Sequence, residues 1–304
     1  MASTPLLPEA AEGTSRWRGK LDRYFARCSE AACRVQAKPL RLPRWRKAGV
    51  YLDKKWYCSV SCLLPALERA VKELLPDDKP AVERGHRVPI GLLLLQRGVI
   101  THEQLRQALA LQRKRGEGRL GEWLRWMGVA TEADITRALA TQWGCPVFPL
   151  ERDQGYRQCA GLVPLSISEL YGLLPVFCSE DRSLLYVAFT SGVDHALLYG
   201  IERMLGCRTL PCIVNTSAYR AALDDLQSRT ELKETNFNSV GSSFEIAHAA
   251  CSFSERLHAQ ALQLAVVGGS LWIRFLNSAG PFDLLFHLTV QRVRGRAASY
   301  TGFP

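Results

Sequence analysis

Four of the ten cysteines are spaced for metal chemistry. Cys28-x4-Cys33 and Cys58-x3-Cys62 are two close pairs separated by 24 residues. A loop that brings two such pairs together offers four thiolates to a tetrahedral ion, zinc above all. A closed four-thiolate shell leaves no open position for substrate, so the site is structural. The alternative is four reduced cysteines in an apolar core. A segment of about 60 residues with few aliphatic side chains favours the staple, because so small a core rarely holds by itself. The other six cysteines (Cys145, Cys159, Cys178, Cys207, Cys212, Cys251) stand singly in apolar surroundings. The histidines (His86, His102, His195, His248, His258, His287) are scattered, and no serine or cysteine pairs with a histidine and a carboxylate at a recognisable spacing. No enzyme chemistry is expected.

The elements that must position the thiols are legible around the second pair. Trp56-Tyr57-Cys58-Ser59, followed by Cys62-Leu63-Leu64, resembles the second knuckle of treble-clef zinc fingers. The resemblance implies a strand delivering Cys58 and a first helical turn delivering Cys62. The first pair is spaced wider than the commonest two-residue knuckle. Residues 16–72 hold 15 Lys/Arg against 4 Asp/Glu, a net of +11, while the whole chain carries +10. With Trp17, Trp45 and Trp56, this module has the composition to meet a nucleic-acid backbone, although a charged run also serves simply as a solvated face.

A second constellation comes from a duplication. PIGLLLLQRGVITHEQLRQALALQ, from Pro89 to Gln112, aligns without gaps on RLGEWLRWMGVATEADITRALATQ, from Arg119 to Gln142, with nine of 24 positions identical. Gly91/Gly121 and Gly98/Gly128 bracket a short apolar helix. Thr101/Thr131 then supply an N-cap, with Gln104/Asp134 three residues later. Each copy reads as helix, turn, longer helix. Leu105, Leu109 and Gln112, like Ile135, Leu139 and Gln142, fall on one helical stripe.

The pattern of Arg-Leu-Gly, then Leu, Gly, two further apolar positions and a final Gln, duplicated at this spacing, resembles the MshEN-type cyclic di-GMP-binding domain, the N-terminal region of type II secretion and type IV pilus assembly ATPases. The likeness continues through Gly144-Cys-Pro-Val-Phe-Pro-Leu150, Val163-Pro164, Leu174-Pro175 and Leu185-Tyr-Val-Ala188, covering about residues 87–226. It implies nucleotide contacts from Arg119, Leu120, Gly121 and Gln142. Leu124, Gly128, Ile135 and Leu139 would pack beneath or against the ligand. Copy one matches with Ile90, Gly91, Leu94, Gly98, Leu105, Leu109 and Gln112, but Pro89 stands where the arginine belongs. An arginine there would stack on guanine and pair with phosphate, worth about 2–4 kcal/mol. Arg87 lies two residues out of register.

The expected class is an α+β multidomain chain: a flexible tail (1–15), a small treble-clef-like zinc module (16–75), a linker (76–86), a duplicated helical subdomain (87–150), an α/β sandwich subdomain (151–226), a linker (227–243) and a small C-terminal α/β module (244–304) of helix plus hairpin. In the α/β half the pattern predicts helices near 166–171, 194–204 and 217–227, and strands over 173–178, 184–189 and 209–214. The last module reads as a helix over 253–262, then strands over 271–276 and 282–290 joined at Asn277-Ser-Ala-Gly280.

Secretion ATPases continue into a motor with a Gly-x4-Gly-Lys-Ser/Thr phosphate loop; that string is absent, and about 78 residues follow Leu226. No apolar run approaches the roughly 18–20 residues that cross a bilayer, and the start lacks a secretory pattern. The expectation is a cytoplasmic, non-catalytic regulator or adaptor that binds Zn2+ and cyclic di-GMP. The rival is a component docking onto secretion or pilus machine subunits with ligand binding lost. A third reading is nucleic-acid binding through the basic module.

Overall fold

The computed structural model describes residues 28–33, 49–75, 87–229, 233–238 and 242–288. In chain order the elements are β1 (Val50–Leu52), β2 (Lys55–Tyr57), α1 (Val60–Leu74), α2 (Ile90–Gln96), α3 (His102–Arg115), α4 (Leu120–Trp126), α5 (Glu132–Trp143), a 3-10 turn (Gly155–Arg157), α6 (Leu165–Tyr171), β3 (Leu173–Cys178), β4 (Leu184–Phe189), α7 (His195–Leu205), β5 (Arg208–Ile213), α8 (Thr216–Arg229), β6 (Glu234–Phe237), α9 (Ser243–Arg256), β7 (Ala261–Val267), β8 (Ser270–Asn277) and β9 (Gly280–His287). The chain divides into two compact units, one from residues up to 79 and from 233 onward, the other from residues 80–232. The mixed α+β class is as expected.

The continuous unit begins with the duplication. Thr101 and Thr131 each form a capping box, with Gln104 and Asp134 returning the bond to the N-cap backbone. Both long helices end on a glycine in the left-handed region, Gly116 (φ 74°) and Gly144 (φ 63°). Leu94, Leu124, Ala108 and Ala138, equivalent in pairs, are fully buried at the centre of one shared core. The α/β half follows as a sheet of order β3-β4-β5, antiparallel then parallel. Its core sets Leu174, Val176 and Ala188 against Tyr219, Leu223 and Leu226 of α8. Val147 bridges Ile213, so the sheet recruits the segment after α5, four residues before the expected boundary.

The other unit corrects the module plan. Residues 16–75 and 244–304 were expected to form separate modules, but β1 pairs in parallel with β7, giving one sheet of order β2-β1-β7-β8-β9-β6. Helices α1 and α9 cover one face. Leu63, Leu67 and Val71 meet Ile246, Ala247 and Ala250 over Leu264, Ile273, Phe275 and Leu284. The linker assigned to 227–243 holds β6, which pairs with β9. The helix expected over 253–262 is instead α9, ending at Arg256, and Ala261-Leu-Gln-Leu-Ala-Val-Val267 is a strand. Leu262 and Leu264 alternate as buried residues on one face of that strand. The hairpin at Asn277 to Gly280 forms as expected. On the sheet face opposite α1 and α9, Arg274 and Asp283 form a buried pair at 2.8 Å, and Trp272 Nε1 donates to Asp283 Oδ1 at 2.7 Å. Such a charge pair is tolerated because every partner is supplied.

Candidate functional site

The four cysteines singled out by spacing converge. A turn at Asp53 and Lys54, both at positive φ, reverses β1 into β2. Tyr57 ends β2, so Cys58 follows directly, and Cys62 lies in the first turn of α1. The first pair is held to this frame by two bonds: Ser29 N–H donates to the Trp56 carbonyl at 2.8 Å, and the Arg69 guanidinium of α1 meets Glu30 at 2.8 Å. Glu30, between the two cysteines, is buried although charged, and Arg69 holds its carboxyl below the usual carboxylate range. Sequence reasoning missed this pair, since nothing in the spacing of positions 30 and 69 marks it.

All four Sγ atoms lie within 4.8 Å of one another, with Cys33 to Cys58 at 3.6 Å and Cys58 to Cys62 at 3.8 Å. With a metal–sulfur bond of about 2.3 Å, the edge of a tetrahedron of sulfurs is about 3.8 Å, so the donor set fits a tetrahedral soft-ligand ion. Burial first, and the Cys33 thiol second, push the Cys58 thiol up to about 12. Burial also raises Cys62. Binding of a cation would displace these protons to solvent, since the thiolate is the metal ligand. Trp56, counted with the basic residues that could meet a nucleic-acid backbone, is buried, its ring against Gly49; Trp17 and Trp45 lie outside the described residues.

In the duplicated unit the copies exchange partners. Helix α2 packs on α5, and α3 on α4. Gln112 donates to the Gly118 carbonyl at 2.9 Å, and Gln142 to the Val88 carbonyl at 2.7 Å; donors and acceptors both differ by 30 residues. Equivalent bonds crossing between copies are the mark of an approximate twofold. The terminal glutamines therefore close each copy onto the approach to the other's short helix.

The stripes between them are half-buried: Ile90, Leu105, Leu109, Leu120, Ile135 and Leu139 are neither sealed nor fully exposed, while Leu94 and Leu124 lie wholly beneath. Gly91 and Gly121 are needed for packing. A Cβ on Gly91 would stand 2.8 Å from Leu105, and one on Gly121 3.0 Å from Ile135. Gly98 (φ 67°) and Gly128 (φ 68°) are turn residues with open space around them.

Arg119 is the N-cap of α4. Its side chain is exposed, and its backbone N–H donates to Glu122 Oε2 at 3.0 Å. Pro89 occupies the matching N-cap of α2. Arg87 is otherwise engaged: its guanidinium lies 3.5 Å from the centroid of the Trp143 ring, which also stands against Gly192.

A duplicated helical unit continues into a three-stranded α/β half, and comparison with known proteins finds similarity over this part of the chain, a pilus assembly ATPase among them. The chain is 29% identical over 134 residues to the type IV pilus assembly ATPase PilB of Thermus thermophilus, covering 44% of this chain and 15% of PilB. It is 32% identical over 127 residues to bacteriophage adsorption protein B of Escherichia coli K12, covering 41% and 16%. Among solved structures, MshE with cdg matches 46% of this chain and 99% of its own at 26% identity (TM-score 0.38), and the N-terminal domain of XpsE matches 44% and 91% at 19% identity (TM-score 0.34). No family model matches the chain. The chain thus spans about one sixth of the curated relatives it resembles. Among the described residues no helix is long and apolar enough to cross a membrane.

Proposed function

We propose that this chain is a cytoplasmic, non-catalytic regulator or adaptor whose duplicated domain binds cyclic di-GMP and whose discontinuous unit is stapled by one zinc ion. The observation that carries the ligand reading is the exchanged Gln112 and Gln142 bonding, which sets two equivalent apolar stripes about an approximate twofold. A ligand with its own twofold fits such a frame, and Arg119 is exposed at one end of it to stack and pair with phosphate. Zinc is supported by the four converging thiols, whose spacing suits a tetrahedral ion. The non-catalytic reading rests on the missing phosphate loop. Similarity to a pilus assembly ATPase supports a second reading, in which the same domain docks onto pilus or secretion subunits.

Calorimetric titration of the full chain with cyclic di-GMP tests the ligand. Saturable binding at micromolar or tighter levels is expected, with Arg119→Ala about thirtyfold weaker, the equivalent of about 2 kcal/mol. Equal affinities for the two proteins would make the duplication a packing device. Elemental analysis should find one zinc per chain, lost in Cys58→Ser. A metal-free chain in which residues 49–75 resist protease would remove the staple.

A further inference from the structure

The two cysteine pairs are held in different ways. Cys58 follows the end of β2 and Cys62 lies in the first turn of α1, so regular elements deliver the second pair. The first pair has only a turn at Ala31 and Ala32 between its cysteines, across a gap of four residues. Something other than secondary structure must keep Cys28 and Cys33 in place.

Glu30 stands inside that gap. Its carbonyl accepts from Cys33 N–H at 3.1 Å, which closes the turn. The Arg69 guanidinium donates to its carboxylate at 2.8 Å, and the backbone N–H groups of Ala31 and Ala32 serve the same carboxylate. Arg69 lies seven residues after Cys62, two turns further along one face of α1 and about 10 Å along its axis. The pair therefore ties the loop of the first cysteines to the helix that carries Cys62, while Ser29 N–H ties the same loop to β2 at Trp56. Each element that delivers a ligand of the second pair thus holds the first pair by one bond.

Charge makes the pair more than a surface contact. Four thiolates around a divalent ion leave the centre net negative, and Glu30, only 8% exposed, adds another negative group in the same loop. A carboxylate so buried needs a cation on it, and Arg69 brings one from a side chain that is itself 58% exposed. Glu30 is not among the groups that converge on one another with the thiols, so its carboxylate acts through the loop and not as a ligand.

We infer that Glu30 and Arg69 are positioning residues for the metal, clamping the Cys28–Cys33 loop onto α1 so that both cysteines stay in the shell. This rests on the zinc reading and assigns what retains the ion. Burial sets the order of effects. Loss of Arg69 strands a buried carboxylate beside the thiolates, whereas Glu30→Gln keeps an acceptor in the turn and removes the charge that needed Arg69. Losing the cation alone is therefore worse than losing both charges.

The test is chelator competition on the zinc-loaded full chain, with cobalt absorption as the readout of the ligand set. The unmodified chain should give the intense thiolate-to-cobalt bands of a four-sulfur site. Arg69→Met should weaken zinc by about tenfold or more and reduce those bands, and Glu30→Gln should weaken it by about threefold. The double variant should hold zinc better than Arg69→Met alone, and Arg69→Lys should fall between Arg69→Met and the unmodified chain. Leu67→Ala, a buried change in the same helix, should lower the melting temperature and leave the cobalt bands unchanged. Zinc affinity of Arg69→Met within about twofold of the unmodified chain, a double variant weaker than either single one, or cobalt bands altered equally by Leu67→Ala would overturn the positioning role and spare the zinc site. An unmodified chain that holds neither zinc nor cobalt would overturn both.

Discussion

Helices α3 and α5 are one sequence element used twice, and the structure treats them alike on one side and differently on the other. Toward the shared core, Ala108 and Ala138 are equally buried, and each short helix sets a glycine against the long-helix stripe of its own copy, Gly91 on Leu105 and Gly121 on Ile135. On the outer side, α5 supports the α/β half through Glu132, Thr136 and Trp143, whereas α3 shows His102, Arg106 and Arg113 to solvent. Duplication thus preserved the positions that two copies need to fold together. The positions it released took up separate tasks, one as a seat for a neighbouring subdomain, the other as a charged face.

The comparison predicts its largest effects where the copies are the same. Leu94→Ala and Leu124→Ala each remove a fully buried side chain and should cost about 3 kcal/mol, nearly equally. Urea titration followed by hydrogen exchange across residues 90–143 measures both, and a gap above about 1.5 kcal/mol would break the equivalence of the cores.

Next come the outer faces. Glu132→Ala removes the group that accepts from the start of α8, and Thr136→Val a buried hydroxyl bonded to Asn215; each should cost about 1–2 kcal/mol. Their copy-one counterparts, His102→Ala and Arg106→Ala, should change stability by less than about 0.5 kcal/mol. Costs of similar size on both faces would mean that α3 is a structural seat as well.

The glutamine bonds differ more finely. Gln142 closes a span of 54 residues and Gln112 one of six, so Gln142→Ala should cost about 1 kcal/mol and Gln112→Ala about half that. Equal melting temperatures for the two variants would contradict the ranking.

The smallest expected effect is on acid sensitivity. Thr131 hydrogen bonds hold the Asp134 carboxyl below its ordinary range, so the capping box of α5 is supported above the unfolded pKa and loosens as pH falls through the lower folded value. The box of α3 uses Gln104, which does not titrate. Amide protection at Asp134 should therefore fall on acidification while that at Gln104 stays level, and parallel behaviour would assign the acid response elsewhere.

What the sequence determined by itself were features written in local spacing. The cysteine pairs, the threonine caps, the gapless 30-residue shift and the hairpin at Asn277 to Gly280 each follow from residue type at fixed short intervals, and backbone geometry makes such intervals sufficient. The strands β3 and β4 were legible for the same reason. Tertiary structure decided what depends on contacts between distant segments. No local pattern tells that β1 will pair with β7 across some 200 residues, because a strand edge carries no address; the match is made by Leu52, Leu262 and the helices that must cover them. The same holds for Glu30 with Arg69, and for the exchange that gives Arg119 to the long helix of the other copy. Each is a complementarity of surfaces that exists only once the chain has folded.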